Sequence, residues 1–247
     1  MNKTLPIVLI VVIGLGIAAG AFLFFNKKDS GKNTTAKEKA ETETFRELPL
    51  DERPFVTLTP RADGHEFHLT IQKIPKDSEI VEYELVYKNS DGVTQGVPGS
   101  IKYKGESKIE RDLLLGSCSS GKCKYDEGVE EGSFTLKLRD DNGKLITKLD
   151  TGFHLQQNPR KITSSDDKFS LSGTFAAGYY LTMGTLGLPE KAPGTVSSGP
   201  YGVFTKSASK SLSATVDLSG KAYVYTTKWV ELSGNKTSSL GTFITTQ

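Results

Sequence analysis

The sequence predicts an all-β protein in which two β-sandwich domains follow one N-terminal transmembrane helix. Short runs of residues alternate between apolar and polar side chains, and turn residues rich in glycine separate these runs. Strands place successive side chains on opposite faces, so this pattern is typical of strands with one buried face. The N-terminal apolar segment is different, because it is continuous and long enough to cross a bilayer.

The apolar segment covers residues 5–25 and contains no charged residue. A helix of this length spans about 30 Å, the thickness of the hydrocarbon core of a membrane. Pro6 is compatible with the first turn of such a helix, where no backbone N–H is needed. The alternative is a cleaved signal peptide, since Ala19-Gly20-Ala21 resembles a cleavage site. The apolar run continues to Phe25, which favours a retained anchor.

The orientation of this anchor follows from two opposing arguments. Lys3 precedes the segment, whereas Lys27, Lys28 and Lys32 follow it, so the positive-inside rule alone places the C-terminal part in the cytoplasm. Long domains, however, cross a membrane largely regardless of charge, and the cysteine pair and β-rich composition favour export. We therefore predict a single-pass membrane protein with extracytoplasmic C-terminal domains.

Two glycines in the apolar segment match a helix-packing pattern. Gly16 and Gly20 are spaced as in the small-xxx-small motif, which lets two membrane helices approach closely. Glycine and alanine are also common in membrane helices in general, and we favour that interpretation. Dimerisation through these two residues is a weaker hypothesis.

Residues 26–49 form a predicted flexible tether between the anchor and the first β-domain. This segment is polar and low in complexity, so it cannot bury enough apolar surface to compensate for the entropy of ordering.

The first predicted β-domain covers residues 50–157. Its alternating runs are residues 66–71, 81–87, 134–139 and 145–149. Asn142-Gly143 between two such runs indicates a hairpin, because both turn positions need a positive φ. The size and spacing resemble immunoglobulin-like or fibronectin-like domains.

Cys118 and Cys123 are the only cysteines, and they lie in this domain. Two cysteines are too few for a tetrahedral zinc site without nearby histidines, and the spacing differs from a thioredoxin-type C-x-x-C motif. In an exported chain this pair predicts a disulfide that closes a short loop.

The second predicted β-domain covers residues 163–247. The polar stretch at 158–167 favours a joint between two domains, although both regions could instead fold into one larger assembly. Residues 184–201 are predicted to form a long loop. Residues 222–232 are predicted to form one long strand.

That strand carries the candidate binding platform. Tyr223, Tyr225 and Trp229 share one face, whereas small aliphatic residues occupy the other. If the aliphatic face is buried, the aromatic face could stack against sugar rings or dock a partner protein. The alternative is that the aromatic residues are themselves buried, since strands favour them.

The sequence predicts no catalytic residue, no metal site and no cofactor. His65 and His68 resemble a ligand pair but would point to opposite faces of a strand. Ser207–Lys210 and Ser119–Lys122 match the S-x-x-K pattern of serine acyl-enzymes without its companion motifs. Residues 140–143 lack the remaining ligands of a calcium loop.

The charge balance argues against nucleic acid as a partner. Lys and Arg number 31 and Asp and Glu number 29, so the net charge is only +2. Nucleic-acid-binding domains usually have a strongly basic face.

Three segments resemble uncharacterised membrane-anchored, exported proteins of reduced-genome bacteria: residues 53–56, residues 60–64 and residues 199–204. This resemblance implies a location outside the cytoplasm and no particular activity.

The functional prediction is a non-catalytic binding or envelope-interaction module with a protein or glycan partner, and one variant accepts a partner strand at a sheet edge. The alternative is an enzyme that acts on cell-wall or surface polysaccharide. Such an enzyme would need a cleft that gathers carboxylates, for which Glu110, Asp112, Asp126 and Glu127 are the candidates.

Overall fold

The computed structural model describes residues 46–207 and 212–247, and this part of the chain is built from antiparallel strands. The all-β prediction is therefore confirmed for the described residues. The strands are β1 (Phe55–Pro60), β2 (Glu66–Gln72), β3 (Ile80–Lys88), β4 (Thr94–Lys102), β5 (Lys108–Leu114), β6 (Gly116–Ser119), β7 (Lys122–Tyr125), β8 (Glu131–Arg139), β9 (Leu145–Gln157), β10 (Lys161–Thr163), β11 (Ser170–Thr174), β12 (Tyr179–Gly184), β13 (Val196–Phe204), β14 (Ser213–Asp217), β15 (Lys221–Tyr225), β16 (Trp229–Glu231), β17 (Lys236–Thr237) and β18 (Thr242–Thr246).

One long sheet organises the fold. It contains nine strands in the order β16-β15-β18-β13-β12-β9-β8-β3-β4. A three-stranded sheet, β1-β2-β5, and a four-stranded sheet, β10-β11-β14-β17, pack against it, while β6 and β7 form a separate hairpin. A short 3-10 turn at Ser233–Asn235 precedes β17.

The two smaller sheets cover opposite faces of the long sheet. In β12, Leu181 and Met183 belong to the first hydrophobic core, whereas Tyr180 belongs to the second. Successive side chains of a strand point to opposite faces, so the two cores lie on the two sides of β12. This central strand is therefore buried on both faces.

The first core lies between β1-β2-β5 and the half of the long sheet that contains β3, β8 and β9. Phe67 and Phe153 meet edge to face there, with their ring centroids 5.3 Å apart. The second core lies under the four-stranded sheet, where Phe169 contacts both Tyr201 and Phe243. Each core joins side chains that are far apart in sequence.

The long sheet is continuous through the predicted joint between the two domains. β9 ends at Gln157 and pairs with β8 on one side and with β12 on the other. The two cores agree approximately with the predicted division. Most residues of the first core precede residue 158, and the residues of the second core follow residue 161. The division into two immunoglobulin-like domains stays a prediction.

The fold includes residues that the sequence assigns to the tether. Leu48 is 1% exposed, and the backbone N–H of Arg46 donates to the carbonyl oxygen of Ile146 at 2.8 Å. The predicted anchor at residues 5–25 lies outside the described residues. Within residues 46–207 and 212–247, no helix has the length and apolarity needed to cross a membrane.

The prediction of one long strand over residues 222–232 is wrong. β15 and β16 form a hairpin instead, and residues 226–228 make the turn between them. Tyr225 lies directly opposite Trp229 in this hairpin, so the two rings remain on one face although they belong to different strands.

A hydrogen-bonded carboxylate lies at the edge of the second core. Asp166 accepts from the Ser164 hydroxyl at 2.5 Å and from the Tyr201 hydroxyl at 3.0 Å. Partial burial would raise the pKa of Asp166, but these hydrogen bonds outweigh burial and lower it. Burial, and then the bond to Asp166, raise the pKa of Tyr201 to about 12.

We expect Phe153→Ala to lower the free energy of unfolding by about 3–5 kcal/mol, because it leaves a cavity beside Phe67 in the first core. Urea unfolding of the full-length chain measures this loss. Val93→Ala is the matched control, since Val93 is 49% exposed and its truncation should change stability by less than about 0.5 kcal/mol. Equal effects of the two substitutions would contradict the assigned core.

Tyr201→Phe should reduce the loss of stability at alkaline pH. The folded chain keeps the Tyr201 proton up to a pKa of about 12, whereas an unfolded chain loses it near pH 10. The protonated Tyr201 hydroxyl therefore contributes to the free energy of unfolding. This contribution is complete below pH 10 and is lost as the pH rises to about 12. Urea midpoints at pH 9 and 11 measure the difference. The midpoint at pH 9 is the internal reference, because the Tyr201 contribution is still present there, and an equal change in the variant and the wild type between pH 9 and 11 would contradict this role of Tyr201.

Candidate functional site

A polar groove of about 520 Å³ lies at the base of the β6–β7 hairpin. Four parts of the chain form it: the turn before β2, the loop that joins β7 to β8, the end of β9 and the start of β12. The residues that line it are Gly64, His65, Asp126, Glu127, Gly128, Val129, Glu130, His154, Leu155, Gln156, Gln157 and Tyr179. The groove therefore combines residues from both predicted domains.

Tyr179 is half-buried and packs against the turn before β2. Gly64 has a φ of +77°, and a Cβ atom at this position would lie 2.5 Å from the Tyr179 ring. Only glycine satisfies both the left-handed backbone and this close approach. The register of β12 with β9 places Tyr179 beside Gln157.

His65 forms a second aromatic element of the groove. Its ring stacks on Tyr125, with the centroids 4.6 Å apart and the planes 16° from parallel. Tyr125 is the last residue of β7, so this stack connects the groove to the hairpin. His68 is elsewhere, on the outer face of the three-stranded sheet, where Nδ1 lies 2.7 Å from Asp112.

Three carboxylates form the acidic side of the groove. Asp126 accepts hydrogen bonds from the Tyr87 hydroxyl at 2.8 Å and from the Asn89 amide at 3.5 Å. Burial, together with this bond, raises the pKa of Tyr87, so its hydroxyl stays protonated and keeps Asp126 in place. Glu127 and Glu130 are exposed, and neither forms a salt bridge within residues 46–207 and 212–247.

The groove also contains amide and imidazole groups. Both ends of the Gln156 amide bond to backbone atoms of β10, at Lys161 and Thr163. His154 Nδ1 lies 3.1 Å from the Thr163 carbonyl oxygen. Gln157 is exposed, and its side chain has no hydrogen-bond partner in the described part of the chain. It is therefore available to a ligand.

The predicted disulfide between Cys118 and Cys123 is confirmed. The two cysteines are direct partners in the β6–β7 hairpin, with Cα atoms 4.0 Å apart. Ser120 and Gly121 form the turn, both with positive φ. Most of the hairpin is exposed and outside the three hydrophobic clusters, so the disulfide shapes a projecting loop beside the groove.

The four candidate carboxylates of the enzyme alternative occupy two separate places. Asp126 and Glu127 lie in the groove, whereas Glu110 and Asp112 lie on β5, on the outer face of the three-stranded sheet. Both β5 carboxylates flank His68, and the Lys108 ammonium also pairs with Glu110 at 2.9 Å. The hydrogen bond from Lys108 contributes most to lowering the pKa of Glu110.

The three residues of the predicted aromatic platform differ in exposure. Tyr223 is 9% exposed and packs with Leu188 and Ile244. Tyr225 and Trp229 are half-buried and meet edge to face at 5.3 Å, and the Trp229 indole donates to the Glu190 carbonyl oxygen at 3.4 Å. A platform at this place would therefore consist mainly of Tyr225 and Trp229.

The aliphatic residues on the other face of the predicted strand also differ in exposure. Ala222, Val224 and Leu232 are buried, the first two at 2% and 4% exposure. Val230 is 44% exposed, because it lies on the edge strand β16.

Comparisons of this chain with protein-family models, with curated proteins and with solved structures give no match. Among the described residues, no group of three or more His, Cys, Asp or Glu side chains is arranged to hold a metal ion. The groove therefore has to be interpreted from its own residues.

The sequence points to Asp126 and Glu127 as candidates but gives no indication of Gly64, Glu130, Gln157 and Tyr179. Gly64 and Tyr179 are separated by more than a hundred residues and come together only through β12. A glycine at the turn before an alternating run was the one available signal, and such glycines are common at turns.

Replacing both cysteines by serine should have a local effect. The closed loop is short, so the chain-entropy model gives a loss of stability of about 2 kcal/mol at most. Hydrogen exchange should become faster at residues 116–125 and remain unchanged in β8 and β9. Faster exchange throughout β8 and β9 would show that the disulfide supports the core, contrary to its exposed position.

Proposed function

We propose that this chain is a membrane-anchored, extracytoplasmic and non-catalytic binding module, and that the polar groove binds a carbohydrate chain. The observation that carries the proposal is one groove that combines the half-buried Tyr179 ring with the side chains of Glu127, Glu130 and Gln157, which have no partner within residues 46–207 and 212–247. The disulfide beside it supports an oxidising location.

Sugar chemistry fits this set of groups. A sugar ring has an apolar C–H face and a rim of hydroxyls, so it can pack on an aromatic ring and donate to carboxylates at the same time. Carboxylates accept hydrogen bonds, and an amide both donates and accepts, which matches the dual character of a hydroxyl. Polar groups dominate the lining, so an apolar ligand is less suitable.

The anchor, the tether and the domain division complete the proposal. Residues 5–25 would hold the chain in the membrane with its C-terminal part outside the cytoplasm, and Gly16 and Gly20 could pair two such helices. Residues 26–45 would give the folded part reach from the membrane surface. The two cores on either side of β12 are the basis for describing the fold as two immunoglobulin-like sandwiches that share a sheet.

An enzyme that acts on polysaccharide is the second candidate. The observation that favours it is the presence of Asp126, Glu127 and Glu130 in one groove, since most glycosidases use a pair of carboxylates. The binding module is preferred because Asp126 is already held by two hydrogen bonds and neither Glu127 nor Glu130 is buried. A general acid usually needs a raised pKa, which burial provides.

We expect the full-length chain to bind an envelope polysaccharide, with Glu127→Gln and Gln157→Ala each weakening the affinity about tenfold or less, because each removes one or two hydrogen bonds. Glycan arrays identify the ligand, and calorimetry measures the affinity. Glu84→Gln is the matched control, since Glu84 is exposed on the outer face of β3, away from the groove.

Three results distinguish the candidates. Weaker binding in both groove variants, but not in Glu84→Gln, supports the module. Release of new reducing ends from the polysaccharide, abolished in Glu127→Gln, supports the enzyme instead. Unchanged affinity in both groove variants, combined with loss of binding in Trp229→Ala, would move the binding site to the pair formed by Tyr225 and Trp229.

A further inference from the structure

A second cavity, of about 550 Å³, lies at one end of the first core, away from the groove. It is enclosed by the loop between β2 and β3 and by the loop between β4 and β5. Four lysines line it, at positions 73, 76, 102 and 104, together with the carboxylates of Glu79 and Glu106. Cations therefore outnumber anions in its wall.

Lys73 has a structural role that directs its ammonium elsewhere. The ammonium donates to the carbonyl oxygens of Leu188 at 2.7 Å and of Asp51 at 3.0 Å. It thereby ties the loop after β2 to the segment before β1 and to the loop after β12. The other three lysines are exposed, and none of their ammonium groups forms a salt bridge within the described ranges 46–207 and 212–247.

Glu106 is largely used by its own turn. Its carboxylate accepts the backbone N–H of Lys104 at 2.9 Å, and this bond is the main reason that the pKa of Glu106 is lowered. The Tyr103 hydroxyl donates to the Glu106 carbonyl oxygen at 3.0 Å, which fixes the same turn. The turn therefore fixes the backbone beside Lys102 and Lys104 at the cavity.

Ser78 provides an independent observation in the same wall. It is 3% exposed, and its hydroxyl has no hydrogen-bond partner within the described part of the chain. Buried hydroxyls nearly always have a partner, so an unpartnered one in a cavity wall indicates a missing acceptor. Ser78 belongs to the lining of the cavity, so an oxyanion bound there is a candidate for that acceptor.

These groups point to one ligand chemistry. Three lysines and a hydroxyl that line one cavity are suited to an anion with several oxygens, and charge-assisted hydrogen bonds to such an anion are among the stronger polar contacts. We infer that this cavity is a binding site for a phosphate group, held by Lys76, Lys102 and Lys104 with Ser78 at its base.

The position of the cavity suggests where that phosphate would come from. The chain enters the described fold at this same end, because Arg46 pairs with Asp77 at 3.4 Å in the loop that lines the cavity. The predicted anchor precedes this point by about 20 residues in the sequence. The phosphate could therefore belong to a lipid headgroup or to a soluble phosphate ester, and the experiment separates the two.

Lysine acetylation of the full-length chain tests the site. The chain is treated in detergent with an acetylating reagent, with inorganic phosphate or glycerol 1-phosphate present, and with chloride at matched ionic strength as the reference. Mass spectrometry gives the rate at each lysine. At a phosphate concentration ten times the dissociation constant, Lys76, Lys102 and Lys104 should react about tenfold more slowly, since occupancy follows mass action.

The chain itself supplies the control residues. Lys88 and Lys228 are exposed and far from the cavity lining, so phosphate should leave their rates unchanged. A decrease of the same size at these two lysines would mean general screening and would overturn the site. Ser78→Ala should raise the phosphate concentration needed for half-protection, and an unchanged concentration would remove Ser78 from the site.

A second arm identifies the source of the phosphate. The full-length chain is placed in nanodiscs of phosphatidylglycerol or of digalactosyldiacylglycerol, which has no phosphate. Protection of the three lysines in phosphatidylglycerol but not in digalactosyldiacylglycerol assigns the site to a lipid headgroup, whether or not soluble phosphate also protects them. Protection by the soluble phosphates in detergent, without protection in phosphatidylglycerol, assigns it to a soluble phosphate. Protection in neither arm overturns the inference. None of these results depends on the carbohydrate groove.

Discussion

The burial of β12 on both faces is the constraint on which the rest of the fold depends. Leu181 and Met183 pack into one core and Tyr180 into the other, so a single strand holds both small sheets against the long sheet. Thr182 between them is fully buried, and its hydroxyl has no partner within residues 46–207 and 212–247. A buried hydroxyl without a partner costs free energy, which the packing of β12 between the two cores has to offset.

The candidate groove exists because of this arrangement. Tyr179 opens β12 and lies against Gly64, which belongs to the turn before β2 on the three-stranded sheet. The same strand pairing sets Gln157 at the end of β9 beside Tyr179. The disulfide hairpin adds Tyr125, which stacks on His65 at the margin of the groove. A rigid core strand thus positions side chains that come from four separate loops and strand ends.

The two proposed sites lie at different places and rely on different chemistry. The groove offers carboxylates, an amide and aromatic rings, which suits neutral or basic sugars. The lysine cavity offers ammonium groups and a buried hydroxyl, which suits phosphate. The chain enters the fold beside the lysine cavity. The two functions could therefore operate together, because the cavity would hold that end of the fold near a phosphate group while the groove binds a carbohydrate chain.

The sequence by itself determined the all-β class, the strand faces in β2, β3 and β8, and the pairing of Cys118 with Cys123. Each follows from local rules, namely the two-residue period of strands, the geometry of turns and the presence of only two cysteines. Only the tertiary structure decided the hairpin at residues 226–228, the continuity of the sheet through Gln157 and the meeting of Gly64 with Tyr179. The sheet continuity and the Gly64–Tyr179 contact depend on which strands pair across long sequence separations, and a single sequence carries no local signal for that choice. The hairpin is local, but its turn, Thr226-Thr227-Lys228, has no glycine or proline to mark it in the sequence.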